Sequence, residues 1–361
     1  MGFVDLPPEV LHLILAIIAH DVKSLSSLCA VDKKIYAISS PLLYQSVTLA
    51  SDRAVSAFCR PHMVGTHQPT YSLSLTKLHV GSHWRVRLDE CEFRLFRDLA
   101  PDLRCALENL ENLKYLSLSI SVRALQALLI NLVVPFQLES FVHSGRLSTN
   151  LLRFLEGQPL ITYLGWHEVA FQTDAELFCQ SMKNNSNLLP KLKAFDGPLH
   201  FITGLLPLRP ISNITIVETW FPSHVERFIE VLQRATVPIT RMSICGEENG
   251  WSTWIGIASM VHSTNLASTL KQLRIVETPR TPMAEHEFLT RSIGNLFSLV
   301  LANSSFGVLE RFEMFNTRTR WQLSASTIES WLRREGMCEL SHWRAYAPSL
   351  RTVILYGNVI F

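Results

Sequence analysis

Leu113-Lys114-Tyr115-Leu116-Ser117-Leu118 and Leu270-Lys271-Gln272-Leu273-Arg274-Ile275 share the spacing L-x-x-L-x-L, in which other large apolar residues can replace leucine. Around the middle apolar position, polar and apolar residues alternate, which predicts a short β-strand with one buried face. The pattern recurs ten times from residue 75 onward, in places in degraded form. Its middle position falls at Leu78, Leu116, Phe141, Leu164, Phe195, Ile214, Met242, Leu273, Phe312 and Val353.

The first and last of these positions are 275 residues apart, which gives a mean spacing of about 31 over nine intervals. Regular leucine-rich repeats span about 20–29 residues, so these repeats are long and irregular. Helix starts of the capping-box type lie between the strands, at 173–176, 223–226 and 326–329. Strand followed by helix, about ten times, predicts an α/β fold: an irregular leucine-rich-repeat horseshoe solenoid with a parallel sheet, over residues 46–361.

A doubly wound α/β domain is the alternative, because it also alternates strands with helices. Two features of the sequence argue against it. The L-x-x-L-x-L strands repeat, and no G-x-G-x-x-G turn follows any of them. The chain also has 54 leucines but only 15 glycines, a composition that favours a leucine-repeat array.

Composition limits the classes of function. The 361 residues are 47% hydrophobic and 18% charged, which is enough apolar material for a core and excludes global disorder. The length favours two domains or one extended array. The net charge of +2 is dispersed along the chain, so no nucleic-acid partner is expected.

The sequence offers little for catalysis or metal binding. Its seven cysteines form no C-x-x-C pair, so we expect reduced thiols. The densest stretch of potential metal ligands lacks the paired spacing of a structural zinc site. It consists of Cys59, His62, His67, His79, His83 and Cys91. We therefore expect no metal, no cofactor and no enzyme activity, although an enzyme with an unrecognised site stays an alternative.

The apolar run Val10–Ala19 resembles neither a signal peptide nor a membrane span. Asp5 and Glu9 precede it where a signal peptide has basic residues, and it is shorter than the roughly 20 residues that cross a bilayer. The sequence thus predicts a soluble protein of the cytoplasm, the nucleus or both, with no membrane partner.

Residues 1–45 predict a separate domain of three helices. Pro7, Pro8 and Glu9 begin the first, Asp21 and Asp32 cap the second and third, and Pro41 ends the third. The first helix is apolar around most of its circumference. Val10, Leu13, Ile14, Ile17 and Ile18 form one face, which Leu11 and Leu15 extend sideways. Such a helix must be buried on more than one side, by the rest of the chain or by another protein.

This segment, LPPEVLHLILAIIAHDVKSLSSLCAVDKKIYAISSPLLYQSVTL, resembles an F-box of the kind found in many fungal F-box proteins. The similarity lies in the Leu-Pro-x-Glu opening, the Leu/Ile-rich first helix, the Leu25-x-x-Leu28-x-x-Val31 spacing and the Pro41-Leu42-Leu43-Tyr44 close. It covers about 40 of the 361 residues. It departs from the family where Ile35 and Tyr36 stand, since a tryptophan is often found there.

The resemblance implies a non-catalytic substrate receptor of a cullin–RING (SCF-type) ubiquitin ligase. The F-box would bind the adaptor and, through it, the cullin, while the repeats would bind a protein target. The residues that match the family's adaptor-binding positions are Leu6, Pro7, Glu9, Leu11, Ile14, Leu15, Leu28 and Val31. A helical cap on the solenoid is the alternative for the segment, and a repeat scaffold outside any ligase is the alternative for the protein.

Strand periodicity also suggests a target-binding surface. Residues that flank the middle apolar position point away from the core, and equivalent residues of successive parallel strands lie about 4.8 Å apart. This register pairs Arg241 and Ser243 with Gln272 and Arg274, and these with Arg311 and Glu313. The predicted target-binding residues are Arg241, Gln272, Arg274, Arg311 and Glu313. The alternative is a self-neutralised surface, with Glu247 and Glu277 beyond the strand ends as counter-charges.

Overall fold

The computed structural model describes most of the chain and leaves ten short stretches between the described ranges. The described residues are 6–18, 21–63, 70–81, 98–167, 172–219, 225–247, 251–278, 289–290, 293–294, 306–316 and 324–360. Within these ranges, twelve strands and fourteen α-helices form a mixed α/β structure.

The chain divides into two compact units. The first contains residues 1–168 and 187–190, and the second contains residues 169–186 and 191–361. The domain boundary predicted between residues 45 and 46 therefore falls inside the first unit. Each unit has an open sheet whose strands follow the order of the sequence and are mostly parallel.

The first unit begins with three helices and continues as alternating strands and helices. Its elements are α1 (Pro8–Ile17), α2 (Val22–Cys29), α3 (Lys33–Leu43), β1 (Ser46–Leu49), α4 (Asp52–Met63), a 3-10 helix (Thr70–Leu73), β2 (Lys77–Gly81), α5 (Ala100–Glu108), β3 (Tyr115–Ser119), α6 (Val122–Leu129), β4 (Ser140–His143), α7 (Thr149–Glu156) and β5 (Tyr163–Trp166).

The second unit continues the alternation and ends in an antiparallel strand. Its elements are α8 (Gln172–Asn184), β6 (Ala194–Gly197), α9 (Leu199–Leu205), β7 (Asn213–Thr219), α10 (Val225–Gln233), β8 (Arg241–Glu247), α11 (Trp251–Ser263), α12 (Leu266–Thr269), β9 (Gln272–Thr278), β10 (Arg311–Asn316), α13 (Ala325–Arg334), α14 (Leu340–Arg344), β11 (Thr352–Leu355) and β12 (Asn358–Val359).

The ten predicted middle positions all lie on parallel strands and all are buried. In the first unit Leu78, Leu116, Phe141 and Leu164 are direct partners in register. In the second, Phe195, Ile214, Met242, Leu273, Phe312 and Val353 are aligned in the same way. This alignment confirms the predicted strands and their register. The register was predictable because a shift by one residue would turn every buried side chain to the other face of the sheet.

Neither unit has the strand order of a doubly wound sheet. Such a sheet reverses its strand order at a switch point, whereas here each strand pairs with the next one along the chain within its unit. Consecutive helices also contact one another, α4 to α7 in the first unit and α8 to α12 in the second. The helices therefore form a layer that follows the strands.

A repeated main-chain hydrogen bond joins successive strands. The N–H of Tyr115 donates to the carbonyl of Thr76 at 3.0 Å, and the N–H of Gln272 donates to the carbonyl of Thr240 at 3.1 Å. In both cases the first residue of one strand bonds to the residue just before the preceding strand. Each repeat thus fixes the start of the next one.

Arginine side chains satisfy helix C-termini between repeats. Arg209, which is only 7% exposed, donates from Nη2 to the carbonyls of Met182 and Asn185 at the end of α8. Arg104 donates from Nε to the carbonyl of Leu128 at the end of α6, at 3.2 Å. A cation at this end of a helix also interacts favourably with the helix dipole.

The three N-terminal helices begin as predicted but do not all end as predicted. Asp21 accepts hydrogen bonds from the backbone of Lys23 and Ser24, and Asp32 accepts one from Lys34. The sequence predicts that Pro41 ends α3, but the helix continues to Leu43. A proline removes one interior hydrogen bond, and here the loss falls in the last turn, where it costs least.

Two of the predicted capping boxes are wrong in position. Ser326 lies within the first turn of α13, and the actual N-cap is Ser324, whose hydroxyl accepts from the N–H of Thr327 at 3.1 Å. Thr173 lies inside α8, which already includes Gln172. A third, at residues 223–226, begins outside the described residues. At α13 a second serine lies two residues before the predicted one, so the motif alone does not select the cap.

A tight hairpin ends the second unit. Leu355 and Asn358 are paired across the two-residue turn of Tyr356 and Gly357, which have φ values of 52° and 87°. Positive φ at both central residues is the type I′ geometry, which suits the twist of two antiparallel strands. β12 thereby pairs with β11, the last parallel strand, along the edge that would otherwise be open.

Candidate functional site

The three-helix segment has a closed core of its own. Leu11, Leu15, Leu25 and Ile35 are fully buried, and α3 packs against both α1 and α2. Lys34 donates from Nζ to the carbonyl of Leu6 at 2.8 Å, which ties the start of the segment to α3. The segment therefore needs no further apolar side chains to complete its core.

Several large apolar side chains nevertheless remain exposed on this segment. Leu13 is 66% exposed, Ile17 73% and Val31 62%, and Val10 is also exposed. Val10, Leu13 and Ile17 have the spacing i, i+3, i+7, so they form one stripe along α1. We call these three residues the α1 stripe.

The predicted adaptor-binding residues divide by exposure. Pro7, Glu9 and Val31 are exposed, and Leu6, Ile14 and Leu28 are half-buried, so these six are accessible. Leu11 and Leu15 are not: both are fully buried, as the inward pair i, i+4 of α1. Their assignment as direct contacts to a partner is therefore corrected. Leu13 and Ile17, which are not among the predicted adaptor-binding residues, present the apolar surface instead.

The second unit brings the predicted target-binding residues together. Gln272 of β9 is the direct partner of Arg241 on one side and of Arg311 on the other. Two residues further along, Arg274 is the direct partner of Ser243 and of Glu313. The pairing register predicted from the sequence is confirmed.

Glu313 is the centre of this surface. Its side chain is only 5% exposed, and its carboxylate contacts three neighbours. Nε of Arg311 donates to Oε1, Nε2 of Gln272 donates to Oε1 at 3.2 Å, and Nε of Arg274 is 3.8 Å from Oε2. A buried carboxylate needs such partners, since burial without them is costly. The contacts hold the surrounding side chains in place.

The arginines retain positive charge that Glu313 does not neutralise. The guanidinium of Arg274 lies 4.3 Å above the ring of Phe315, a cation–π contact, and its Nε is buried without a hydrogen bond. Arg241 is exposed and makes no ion pair within the described part of the chain. Phe315 is a part of this surface that is not among the residues predicted from the sequence.

The proposed counter-charges are placed differently from the prediction. Glu277 lies inside β9, not beyond its end, and is buried, where it accepts a hydrogen bond from the hydroxyl of Tyr356 at 2.8 Å. It is three residues from Arg274, so the two-residue period of the strand places it on the other face of the sheet. Glu247 is the last residue of β8, and its side chain lies outside the described residues.

A cluster of aromatic and histidine side chains lies at the ends of β4 and β5. His143 is fully buried, and its Nδ1 accepts a hydrogen bond from the N–H of Gly145 at 3.1 Å. Its ring packs against those of Phe141 and Trp166. Burial, with a smaller effect of His167, lowers the pKa of His143 to about 3. The neutral imidazole is therefore a core side chain.

Two thiols, the buried Cys59 and the half-buried Cys179, are unsuited to nucleophilic chemistry. Burial, with smaller effects of Asp102 and Cys105, raises the pKa of Cys59 to about 12, and burial raises that of Cys179 to about 11. A thiol must lose its proton to act as a nucleophile, so both are unreactive at neutral pH.

No group of three or more potential metal-ligating side chains forms within the described ranges. Of the stretch considered for metal binding, Cys59, His62 and His79 are described, and His67, His83 and Cys91 lie outside the described residues. Among the described helices, none has the length and apolarity needed to cross a bilayer.

Comparison with known proteins does not assign the chain to a family. No protein-family model matches the chain, and no curated protein is significantly similar to it.

Proposed function

We propose that this protein is a non-catalytic substrate receptor of a cullin–RING (SCF-type) ubiquitin ligase. Its three-helix segment would be an F-box that binds the adaptor, and through it the cullin. The strand-and-helix array would be an irregular leucine-rich-repeat solenoid that binds a protein target. A receptor of this kind acts in the cytoplasm or the nucleus and leaves the transfer chemistry to other subunits.

The observation that carries the adaptor-binding part is the α1 stripe beside the F-box-like opening. The core of the segment is already closed by Leu11, Leu15 and Ile35, yet Leu13 and Ile17 remain largely exposed. Contiguous apolar surface on a folded domain marks an interaction site, because its exposure to water is unfavourable. Pro7, Glu9 and Val31 are accessible on the same segment.

Three features support a repeat solenoid for the rest of the chain. The strands follow the order of the sequence within each unit, their middle apolar residues are aligned, and consecutive helices contact one another. In a solenoid each repeat contacts mainly its neighbours, which gives this arrangement. The irregular spacing of the repeats is common in the fungal F-box proteins that the sequence resembles.

Co-purification tests the proposal. The full-length chain is co-expressed with a tagged ligase adaptor and captured through the tag. We expect the pair Leu13→Lys and Ile17→Lys to lower the recovered chain at least tenfold, because each lysine places a charge in an apolar contact. Circular dichroism and thermal unfolding should match the wild type, since both positions are exposed.

The chain offers a matched control. Val133 and Leu177 are 78% and 61% exposed and lie outside the three-helix segment. The pair Val133→Lys and Leu177→Lys should leave adaptor capture unchanged. Failure of the wild-type chain to bind the adaptor, or equal capture of both double variants, would contradict the receptor role. A chain without adaptor binding that still binds a protein target would be a scaffold.

A further inference from the structure

The sheet of the second unit has a charged surface with an apolar border. We define the arginine face as Arg241, Gln272, Arg274, Arg311, Glu313 and Phe315. Arg241, Gln272 and Arg311 are aligned on three neighbouring strands, and Ser243, Arg274 and Glu313 are aligned two residues further along. Val276 and Phe315 form the next aligned row, and both are half-buried.

Three guanidinium groups and one carboxylate lie on this face, and the carboxylate contacts only two of the three. Glu313 engages Arg311 by a hydrogen bond and is 3.8 Å from Arg274. Within the part of the chain that the structure describes, Arg241 makes no ion pair, and Nε of Arg274 is buried without a hydrogen bond. Two positive charges are thus left for a ligand, and contacts with Glu313 and Phe315 partly immobilise one of them, the guanidinium of Arg274.

The spacing of these two charges favours two separate anions. Arg241 and Arg274 lie on adjacent strands and are offset by two residues. Strand separation and rise place their Cα atoms about 8 Å apart. In an extended peptide, side chains at i and i+2 lie on the same side, about 6.7 Å apart. Two carboxylates with this spacing match the two guanidinium groups, each of which can bind a carboxylate in a bidentate manner.

We infer that the arginine face binds an extended acidic peptide segment, with Asp or Glu at alternate positions and an apolar residue beyond them. The two carboxylates contact Arg241 and Arg274, and the apolar side chain packs against Phe315 and Val276. That this segment belongs to a target for ubiquitin transfer depends on the proposed function. The binding itself does not, because it can be measured on the chain alone.

Fluorescence anisotropy with labelled, end-capped peptides tests the inference. The probe is Thr-Glu-Thr-Glu-Thr-Leu-Thr, and its neutral analogue carries Gln in place of both Glu. We expect the acidic probe to bind at least tenfold more tightly than the neutral one, and added salt to weaken it. A third peptide, Thr-Glu-Glu-Thr-Thr-Leu-Thr, places its carboxylates on opposite sides and should also bind at least tenfold more weakly.

Variants locate the binding site. Arg241→Gln together with Arg274→Gln should weaken the acidic probe at least tenfold and leave adaptor capture unchanged. The control pair is Arg234→Gln with Arg333→Gln, which removes the same charge from two exposed helix-side arginines. The inference would be overturned if both double variants weakened binding of the acidic probe equally, or if the wild-type chain did not prefer the acidic probe to the neutral one. Either result would leave the adaptor-binding proposal intact.

A last peptide distinguishes binding of two carboxylates from binding of one doubly charged group. It carries a single phosphoserine at the second Glu position and Gln at the first. Weaker binding of this peptide than of the two-glutamate probe supports the two-carboxylate arrangement. Tighter binding would overturn it, because one phosphoryl group would then satisfy both arginines.

Discussion

The hydroxyl of Tyr356 donates a hydrogen bond of 2.8 Å to Oε2 of the buried Glu277, which lies 79 residues earlier in the chain. Tyr356 is in the turn of the C-terminal hairpin, and Glu277 is in β9, two strands away from β11. This bond therefore connects the hairpin to a strand with which it does not pair. It also supplies a partner for a carboxylate that has little access to water.

Replacement of Tyr356 by Phe should destabilise the chain. The substitution keeps the ring and removes one charge-assisted hydrogen bond to a buried carboxylate, which is worth about 1.5–3 kcal/mol. Urea unfolding should show a corresponding loss in the free energy of unfolding. Tyr36, which is 53% exposed, provides the control, and Tyr36→Phe should change it by less than about 0.5 kcal/mol. Equal effects of the two variants would contradict a stabilising role for this bond.

Glu313→Gln should also destabilise the second unit. The substitution preserves shape but removes the negative charge between Arg274 and Arg311, which are 34% and 46% exposed. Because solvent partly screens both arginines, the expected loss is about 1–2 kcal/mol, below the value for a fully buried pair.

A matched glutamate shows what a surface pair contributes. The side chain of Glu310 is 44% exposed and lies 3.8 Å from Lys271, so Glu310→Gln should cost less than about 1 kcal/mol. Both variants are compared by urea unfolding at low salt and at high salt. The Glu310→Gln difference should disappear at high salt, and most of the Glu313→Gln difference should persist. A Glu313→Gln effect that salt removes entirely would be inconsistent with burial.

His143 should make the stability depend on pH. Burial lowers its folded pKa to about 3, whereas the unfolded chain has the ordinary value near 6.5. Below about pH 6.5 the unfolded state takes up a proton that the folded state does not bind, so stability falls as the pH decreases toward 3. Between pH 7.5 and pH 5 this group alone accounts for about 2 kcal/mol.

His143→Asn isolates that contribution. The asparagine oxygen can still accept the hydrogen bond from Gly145, but the side chain does not titrate. The difference in free energy of unfolding between pH 7.5 and pH 5 should be smaller in this variant than in the wild type. His262, an exposed residue of α11, serves as the control, and His262→Asn should retain the wild-type pH dependence. A wild-type slope in His143→Asn would show that other groups cause the effect.

The parts of the fold that the sequence predicted are those with a local signal. Alternation around Leu116 or Leu273 specifies both a strand and its buried face, so the register of the sheet follows from it. The predicted helix starts at Asp21 and Asp32 are confirmed, because an aspartate directly precedes the first helical residue in both cases and accepts backbone hydrogen bonds. At α13 several hydroxyl residues compete, and Ser324 rather than Ser326 is the cap.

The rest depends on contacts between distant residues. The bond between Tyr356 and Glu277 joins positions 79 residues apart, and no local pattern in the sequence indicates it. The pairing of Arg274 with Glu313 followed from strand register, but the near-complete burial of Glu313 did not. Hydrophobicity around α1 likewise could not determine which side of the helix faces the chain's own core.

The two sides of α1 should therefore respond in opposite ways to substitution. Leu11→Ala removes a fully buried side chain and should lower the free energy of unfolding by about 2–5 kcal/mol. Leu13→Ala, at a position that is 66% exposed, should change it by less than about 0.5 kcal/mol. Adaptor capture, normalised to the amount of folded protein, should show the reverse order. Leu13→Ala should weaken capture directly, because the side chain lies on the proposed contact surface. Leu11→Ala should weaken capture only to the extent that α1 unfolds. Urea unfolding and adaptor pull-down of the same two variants provide the measurement. If Leu11→Ala leaves stability unchanged and abolishes capture, then the side chain of Leu11 turns outward to meet its partner, and α1 packs differently in the complex.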